Sequence, residues 1–117
     1  RTSKTVLPYL RAMSVHIYNV TVVVDQSIVE RWVEWMKQEH IPEVMNTGMF
    51  TSYMFTEVFP EQEQDQPSFS IQYRAKDLES IKLYMQMYAP ELKSKSAKAW
   101  GTHALAFRTL LEVLDEQ

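Results

Sequence analysis

Four side chains of this sequence are candidates for the chemistry of a small-molecule site: His40, Trp35, Tyr73 and Arg108. Histidine exchanges protons near neutral pH without help from its surroundings, so His40 is the candidate for acid–base chemistry. Arg108 could orient an anionic group and Tyr73 could donate a hydrogen bond, while Trp35 could form an apolar wall. We predict that any ligand site is built around His40, with the other three beside it. No spacing in the sequence identifies a catalytic residue, and none is assigned.

His40 and the tryptophans also have an ordinary structural explanation. His40 shares a helical phase with Val33 and Met36, which favours a half-buried histidine that packs and bonds to a backbone carbonyl. Trp32 and Trp35 fall on one helical stripe, and such a pair is more often part of a core than a platform for a planar ligand. Packing is therefore the favoured interpretation, and the ligand site is the hypothesis weighed against it.

Arg108 lies in a strand-like segment of small apolar residues. It shares its phase with Ala104 and Ala106, where a lone charge requires an acidic partner or an anionic ligand. Glu57 and Glu112 are available as partners. An ion pair with one of them is the favoured interpretation, and an anionic ligand is the alternative.

The sequence argues against metal and cofactor chemistry. Its three histidines, His16, His40 and His103, lie in separate segments without the spacing of a zinc site, and there is no cysteine. No nucleophile elbow, P-loop or dinucleotide fingerprint is present. We therefore expect no metal and no cofactor. The lack of cysteine is also compatible with a reducing cytoplasm, which is the expected location.

Length and charge narrow the classes of partner. The chain has 117 residues, enough for one domain with one core, and its net charge is -3. This charge disfavours a general affinity for nucleic acid or for an anionic membrane, because both attract clustered Lys and Arg. No apolar run is long enough to span a bilayer. We expect neither nucleic acid nor membrane as a partner.

The first residues differ from the rest of the chain. The first twelve contain Arg1, Lys4 and Arg11 but no acid, and they lack strict periodicity. A proline and an arginine interrupt the apolar part, so an export signal is a poorer interpretation than a frayed terminus. We expect residues 1–14 to be an extension outside the core fold and residues 15–117 to form a single domain.

Hydrophobic periodicity predicts six elements in the rest of the chain, because strands alternate with period 2 and helices repeat near period 3.6. The first is a strand over 16–25, followed by a helix that Asp25 or Ser27 caps, that Pro42 ends or kinks, and that a short further turn extends to Gly48. Strands over 50–60 and 68–74, joined by a polar loop over 61–66, come next. A helix that Asp77 caps and Pro90 interrupts and a strand over 103–113 complete the order. This order is the ferredoxin-like βαββαβ plan. We expect an α+β fold with a four-stranded antiparallel sheet and two helices on one face.

Several short motifs resemble those of a small bacterial domain family of unknown function, placed among the dimeric α/β-barrel group of ferredoxin-like proteins. They are Ile17-Tyr18-Asn19-Val20-Thr21, Trp32-x-x-Trp35-Met36, Glu39-His40-Ile41-Pro42, Thr47-Gly48-x-Phe50, Tyr88-Ala89-Pro90-x-Leu92 and Ala106-Phe107-Arg108-Thr109. Each motif alone is weak, but together they cover nearly the whole domain. The resemblance implies a homodimer and a fold that often holds ligands; it supplies no catalytic residue.

Two functions are consistent with this sequence. The first is a dimeric small-molecule-binding protein or cofactor-less enzyme, with a cavity between sheet and helices; the second is a non-catalytic dimeric protein-interaction module with a tight core and no pocket. RNA binding is disfavoured, because the glycine and basic residues of RNA-recognition strands are missing. The homodimer is expected to form through the sheet face opposite the helices, which the strand phases suggest is apolar. Its predicted members are Val23, Tyr53 or Phe55, Ala104 and Ala106.

Overall fold

A computed structural model describes residues 11–117 of the protein. The strands are β1 (His16–Val24), β2 (Ser52–Glu57), β3 (Ser68–Ala75) and β4 (Ala104–Glu112). The helices of the domain are α1 (Val29–Trp35), α2 (Ile41–Met45), α3 (Leu78–Met87) and α4 (Ala89–Trp100), and a π-helical turn, Met36–His40, connects α1 to α2. The predicted order of elements is confirmed.

The four strands form one antiparallel sheet in the order β2-β3-β1-β4. Val20 at the centre of β1 lies opposite Ile71 of β3 on one side and Arg108 of β4 on the other. Directly paired residues share a face, so these three side chains are on the same face of the sheet. The helices pack against this face, as predicted for a ferredoxin-like α+β fold.

The first helical region continues past Pro42 into a short further turn, as the sequence predicts. Pro42 has no backbone N–H, and the sequence predicts that it ends or kinks the helix. In the structure, the backbone N–H of Ile41 bonds to the carbonyl of Met36, five residues earlier, and α2 then places Pro42 in its first turn. Proline is tolerated at that position, so the π-helical turn allows helical structure to continue to Met45.

The second helical region follows its prediction. Asp77 accepts a hydrogen bond from the backbone N–H of Ser80 at 2.9 Å and thereby caps α3. Tyr88 has non-helical backbone angles, and α4 begins at Ala89 with Pro90 in its first turn. The predicted cap and the predicted break are both confirmed.

Aromatic side chains fill the core between the sheet and the helices. Tyr18 and Phe50 stack with ring centroids 6.0 Å apart, and Tyr84 of α3 packs edge-on against both of them. Trp32 of α1 lies 5.0 Å from Phe69 of β3 and is 2% exposed. Because these rings come from both layers, their burial fixes the helices on the sheet.

The sheet face opposite the helices differs from the prediction. Ala104 and Ala106 lie opposite Val24 and Val22 of β1, and Tyr53 and Phe55 lie opposite Tyr73 and Ile71 of β3, so all four are on the helix side. Strand phase separates the two faces but does not reveal which one the helices cover. Of the predicted members, Val23 alone is on the open face. The apolar residues of that face, here called the open-face patch, are Ile17, Val23, Met54, Leu105, Phe107 and Leu111.

The predicted extension over residues 1–14 falls largely on residues 1–10, outside the described part of the chain. At its end, the guanidinium of Arg11 donates a hydrogen bond to Glu112 of β4 at 3.1 Å. None of the described helices has the combination of length and apolarity that a membrane-spanning helix requires.

Candidate functional site

A cavity of about 260 Å³ lies between the sheet and the helices. Its walls are largely apolar: Val20 and Val22 come from the sheet, Trp32 and Met36 from the first helical region, and Leu92 from α4. Ala104 and Ala106 of the edge strand β4 also line it. Their small side chains leave space between β4 and α4, whereas the larger aromatic side chains on β1 and β3 are packed under the helices.

His40 lines this cavity from the last position of the π-helical turn. Its ring stacks on Trp35 with a centroid distance of 5.1 Å. The buried Nδ1 atom of His40 has no hydrogen-bond partner among residues 11–117. Burial lowers the pKa of His40 to about 4; Glu43 opposes this change, and the positive charge of Arg108 adds to it. His40 is therefore a neutral imidazole at pH 7.

Tyr73 lines the same cavity from β3 and is 2% exposed. Its hydroxyl is buried and lacks a hydrogen-bond partner in the described part of the chain. Burial raises its pKa, and so do the neighbouring phenols of Tyr84, Tyr18 and Tyr53. The phenol of Tyr73 thus keeps its proton at neutral pH and is available as a hydrogen-bond donor.

Arg108 lines the cavity from β4 and is exposed to solvent. The expected acidic partners do not hold it: Glu112 binds Arg11, and neither Glu57 nor any other acid of residues 11–117 forms a salt bridge with Arg108. Its charge acts on the cavity, since it lowers the pKa of His40 and opposes the rise that burial causes in the pKa of Tyr84.

Trp100 is a candidate site residue that the sequence alone did not indicate. It lines the cavity at the end of α4, and its buried Nε1 donor has no acceptor among the described residues. Its indole also packs edge-on against Trp35 at 5.8 Å. In the sequence, Trp100 precedes Gly101, a pair typical of the end of a helix, and no spacing relates it to His40 or Tyr73.

The structure therefore brings the four sequence-predicted residues together. His40, Tyr73 and Arg108 line one cavity. Trp35 does not line it, but supports the His40 ring from behind. Within residues 11–117, no group of three or more His, Asp or Glu side chains is arranged to hold a metal ion. The site offers one neutral imidazole, phenol and indole donors, and the two cations of Arg108 and Lys93 around an apolar space.

The fold and this cavity define a ferredoxin-like α+β domain of the class that includes dimeric ferredoxin-like proteins. The chain belongs to the domain family of unknown function DUF4286, whose sequence profile matches residues 15–114. No curated protein matches it at a significant level.

Solved structures support the same fold at low sequence identity. A protein of the ethyl tert-butyl ether d (ethd) family from Bacillus halodurans has a TM-score of 0.66 and 12% identity, covering 85% of this chain and 99% of that one. A dimeric ferredoxin-like protein from an uncultured marine organism has a TM-score of 0.62 and 12% identity, with 88% and 97% covered. SnoaB, a cofactor-independent oxygenase from Streptomyces nogalater, has a TM-score of 0.62 and 10% identity, with 88% and 96% covered.

Proposed function

We propose that this protein is a dimeric small-molecule-binding protein whose ligand occupies the cavity between the sheet and the helices, with His40, Tyr73 and Arg108 as ligand contacts and Trp35 as the support of His40. The main support for this proposal is a set of buried polar atoms that have no hydrogen-bond partner within residues 11–117. They are Nδ1 of His40, the hydroxyl of Tyr73 and Nε1 of Trp100. All three residues line the same cavity.

Unpartnered polar atoms in a buried position favour binding over packing. Leaving a buried donor or acceptor without a partner costs about 1–3 kcal/mol, and most native structures avoid it. A protein-interaction module with a tight core has no need of three such atoms around one apolar space. A ligand that hydrogen-bonds to them would offset this cost, which is the usual arrangement of a small-molecule site.

A cofactor-less enzyme is the second candidate, and the neutral state of His40 favours it. An imidazole that is uncharged at pH 7 can accept a proton through Nδ1 or Nε2, depending on its tautomer. Arg108 lines the same cavity and its charge acts on His40, so it could stabilise an oxyanion formed by that step. The likeness in fold to SnoaB, described as a cofactor-independent oxygenase, is consistent with such chemistry. Catalysis would require a ligand that His40 can deprotonate, so ligand binding is tested first.

Filling the cavity should abolish binding of a small apolar ligand. Ala106 lines the cavity from an exposed position on β4, so Ala106→Phe would place a ring in the space without removing core packing. We expect 2-naphthamide, a neutral two-ring probe, to bind the native protein in calorimetric titrations and to lose at least about tenfold in affinity in this variant. Ala99→Phe, on an exposed part of α4 outside the cavity, is the control and should bind normally. Equal binding by all three proteins would exclude this cavity as the site.

The second part of the proposal is a homodimer formed through the open-face patch. Leu105, Phe107 and Met54 in this patch are 50%, 59% and 61% exposed. Exposed apolar side chains on a sheet face favour association, and a two-fold interface between identical sheet faces would cover them in both copies. The solved structure from the uncultured marine organism is described as a dimer, which agrees with this arrangement.

A charge in the open-face patch should dissociate this dimer. Light scattering of the native protein at tens of micromolar should give twice 13.8 kDa. Phe107→Lys should give the monomer mass, because the interface would bury an unpaired ammonium in each copy. Phe59→Lys changes an equally apolar, 92% exposed residue in the loop between β2 and β3 and should leave the dimer intact. A native monomer, or a Phe107→Lys dimer, would contradict the proposed interface.

A further inference from the structure

The charged side chains that line the cavity are of one sign. Among residues 11–117, the lining includes the cations of Arg108 and Lys93 but no aspartate or glutamate. Because a neutral or cationic ligand would have no use for two cations beside an apolar space, the lining indicates a ligand with negative charge.

We propose that the ligand is a flat, largely apolar monoanion of about two rings, with an anionic oxygen held by Arg108 and an uncharged acceptor oxygen at the buried end of the cavity. The proposal rests on the proposed binding function and specifies the chemical class of its ligand. Each part of the description follows from a separate observation.

The anionic oxygen follows from the state of Arg108. Its guanidinium forms no salt bridge within residues 11–117, although acids are plentiful in the chain. Glu112, on the same strand, binds Arg11 instead. A guanidinium presents paired N–H groups that match a carboxylate or another delocalised oxyanion, and the exposed position of Arg108 at the cavity allows such a ligand to enter from solvent.

The acceptor oxygen follows from the buried donors. Trp100 can only donate through Nε1, and the phenol of Tyr73 retains its proton because burial raises its pKa. Neither donor has an acceptor among the described residues. A carbonyl or hydroxyl oxygen on the ligand could accept from them, while His40 could bond to the same group through its unpartnered Nδ1. A second negative charge there is disfavoured, because the surroundings are apolar and His40 is neutral.

The size and flatness follow from the space and its walls. An apolar cavity of about 150 Å³ holds a benzene molecule, so 260 Å³ corresponds to about two rings with small substituents. Val20 and Ile71 of the sheet form one wall, and Trp32 and Met36 of the helical layer form the other. A planar molecule would contact both walls, whereas a sugar or a nucleotide would leave many hydroxyls facing aliphatic side chains.

The test compares two probes of the same shape. The 2-naphthoate ion and 2-naphthamide both have two rings and an acceptor oxygen, but only the first is charged. In calorimetric titrations at pH 7, we expect the native protein to bind naphthoate at least about tenfold more tightly, the difference that one charge-assisted hydrogen bond supplies. Arg108→Gln should reduce the affinity for naphthoate by about tenfold and change that for naphthamide less than about twofold.

A matched control variant and the possible contrary results distinguish the proposal of an anionic ligand from the more general proposal of small-molecule binding. Arg74→Gln removes an arginine on the opposite sheet face, where it binds Glu116, and should leave the affinities for both probes unchanged. If both probes bind equally, or Arg108→Gln weakens both equally, the cavity binds ligands but the anion assignment is wrong. If neither probe binds the native protein, the proposed function fails and this inference fails with it.

Discussion

Lowering the pH from 6.5 to 4 should reduce the free energy of unfolding by about 3 kcal/mol through His40 alone. Burial holds the pKa of this histidine at about 4 in the folded protein, with Glu43 opposing the shift and Arg108 adding to it. In the unfolded chain the pKa returns to its ordinary value of 6.5. Between these two values, the unfolded state binds a proton that the folded state does not. Stability is therefore greatest above pH 6.5 and decreases as the pH falls toward 4.

Urea unfolding at several pH values from 7 to 4 measures the free energy of unfolding of the native protein and of His40→Gln. The difference between the two proteins at each pH gives the contribution of His40. Other groups also titrate in this range, but they are common to both proteins and cancel. His103→Gln is the matched control: His103 is exposed and bonded to Asp25 at 2.6 Å, so this variant should retain the His40-dependent loss. If His40→Gln shows the same pH dependence as the native protein, His40 is not buried in its neutral form.

Most of the fold could be predicted from the sequence because its signals are local. Alternation of apolar residues identified the strands, the Asp77 side chain identified a helix start, and Pro90 identified the boundary between α3 and α4. The choice of covered face could not be predicted in this way. Ala104 and Ala106 have the right phase for either face, and only their register against Val24 and Val22 of β1 places them beneath the helices.

The position of His40 depends on a feature that helical periodicity does not describe. A period of 3.6 residues per turn groups His40 with Val33 and Met36. The π-helical turn has more residues per turn than an α-helix, so the side-chain directions shift from residue 36 onward. With this change in phase, His40 lines the cavity half-buried, whereas Met36 and Ile41 on either side of it in the chain are buried. No residue type in that segment specifies such a turn, although the missing N–H of Pro42 is consistent with it.

The candidate site could be predicted in part. The types of His40, Tyr73 and Arg108 were sufficient to select them, because histidine, phenol and guanidinium groups are expensive to bury without a role. That Arg108 forms no salt bridge within residues 11–117 could not be inferred, since Glu112 is on the same strand and its pairing with Arg11 is a long-range contact. Trp100 was missed for a related reason: its indole reaches the cavity only because α4 ends beside β4.

Replacing Tyr73 by phenylalanine should increase stability and reduce ligand affinity together. The hydroxyl of Tyr73 is buried without a partner within the described residues, so its removal should raise the free energy of unfolding by about 2 kcal/mol. The ring would keep its packing against Phe50, at a centroid distance of 5.2 Å, and against Tyr18. Affinity for 2-naphthamide should fall, because the ligand would lose the donor that the hydroxyl supplies.

A gain in the free energy of unfolding together with a loss of ligand affinity distinguishes a binding residue from a packing residue. A hydroxyl that stabilises the fold would make Tyr73→Phe less stable, and this outcome would contradict the assignment of Tyr73 to the site. Tyr53→Phe provides the control in urea unfolding and in calorimetric titration, because Tyr53 lies directly opposite Tyr73 in the sheet but is 51% exposed. Its hydroxyl can bond to water in the folded protein, so neither stability nor affinity should change. If Tyr73→Phe gains stability and Tyr53→Phe does not, the native protein retains the buried hydroxyl of Tyr73 at a cost in stability. Such a cost is common at binding sites, where function is favoured over stability.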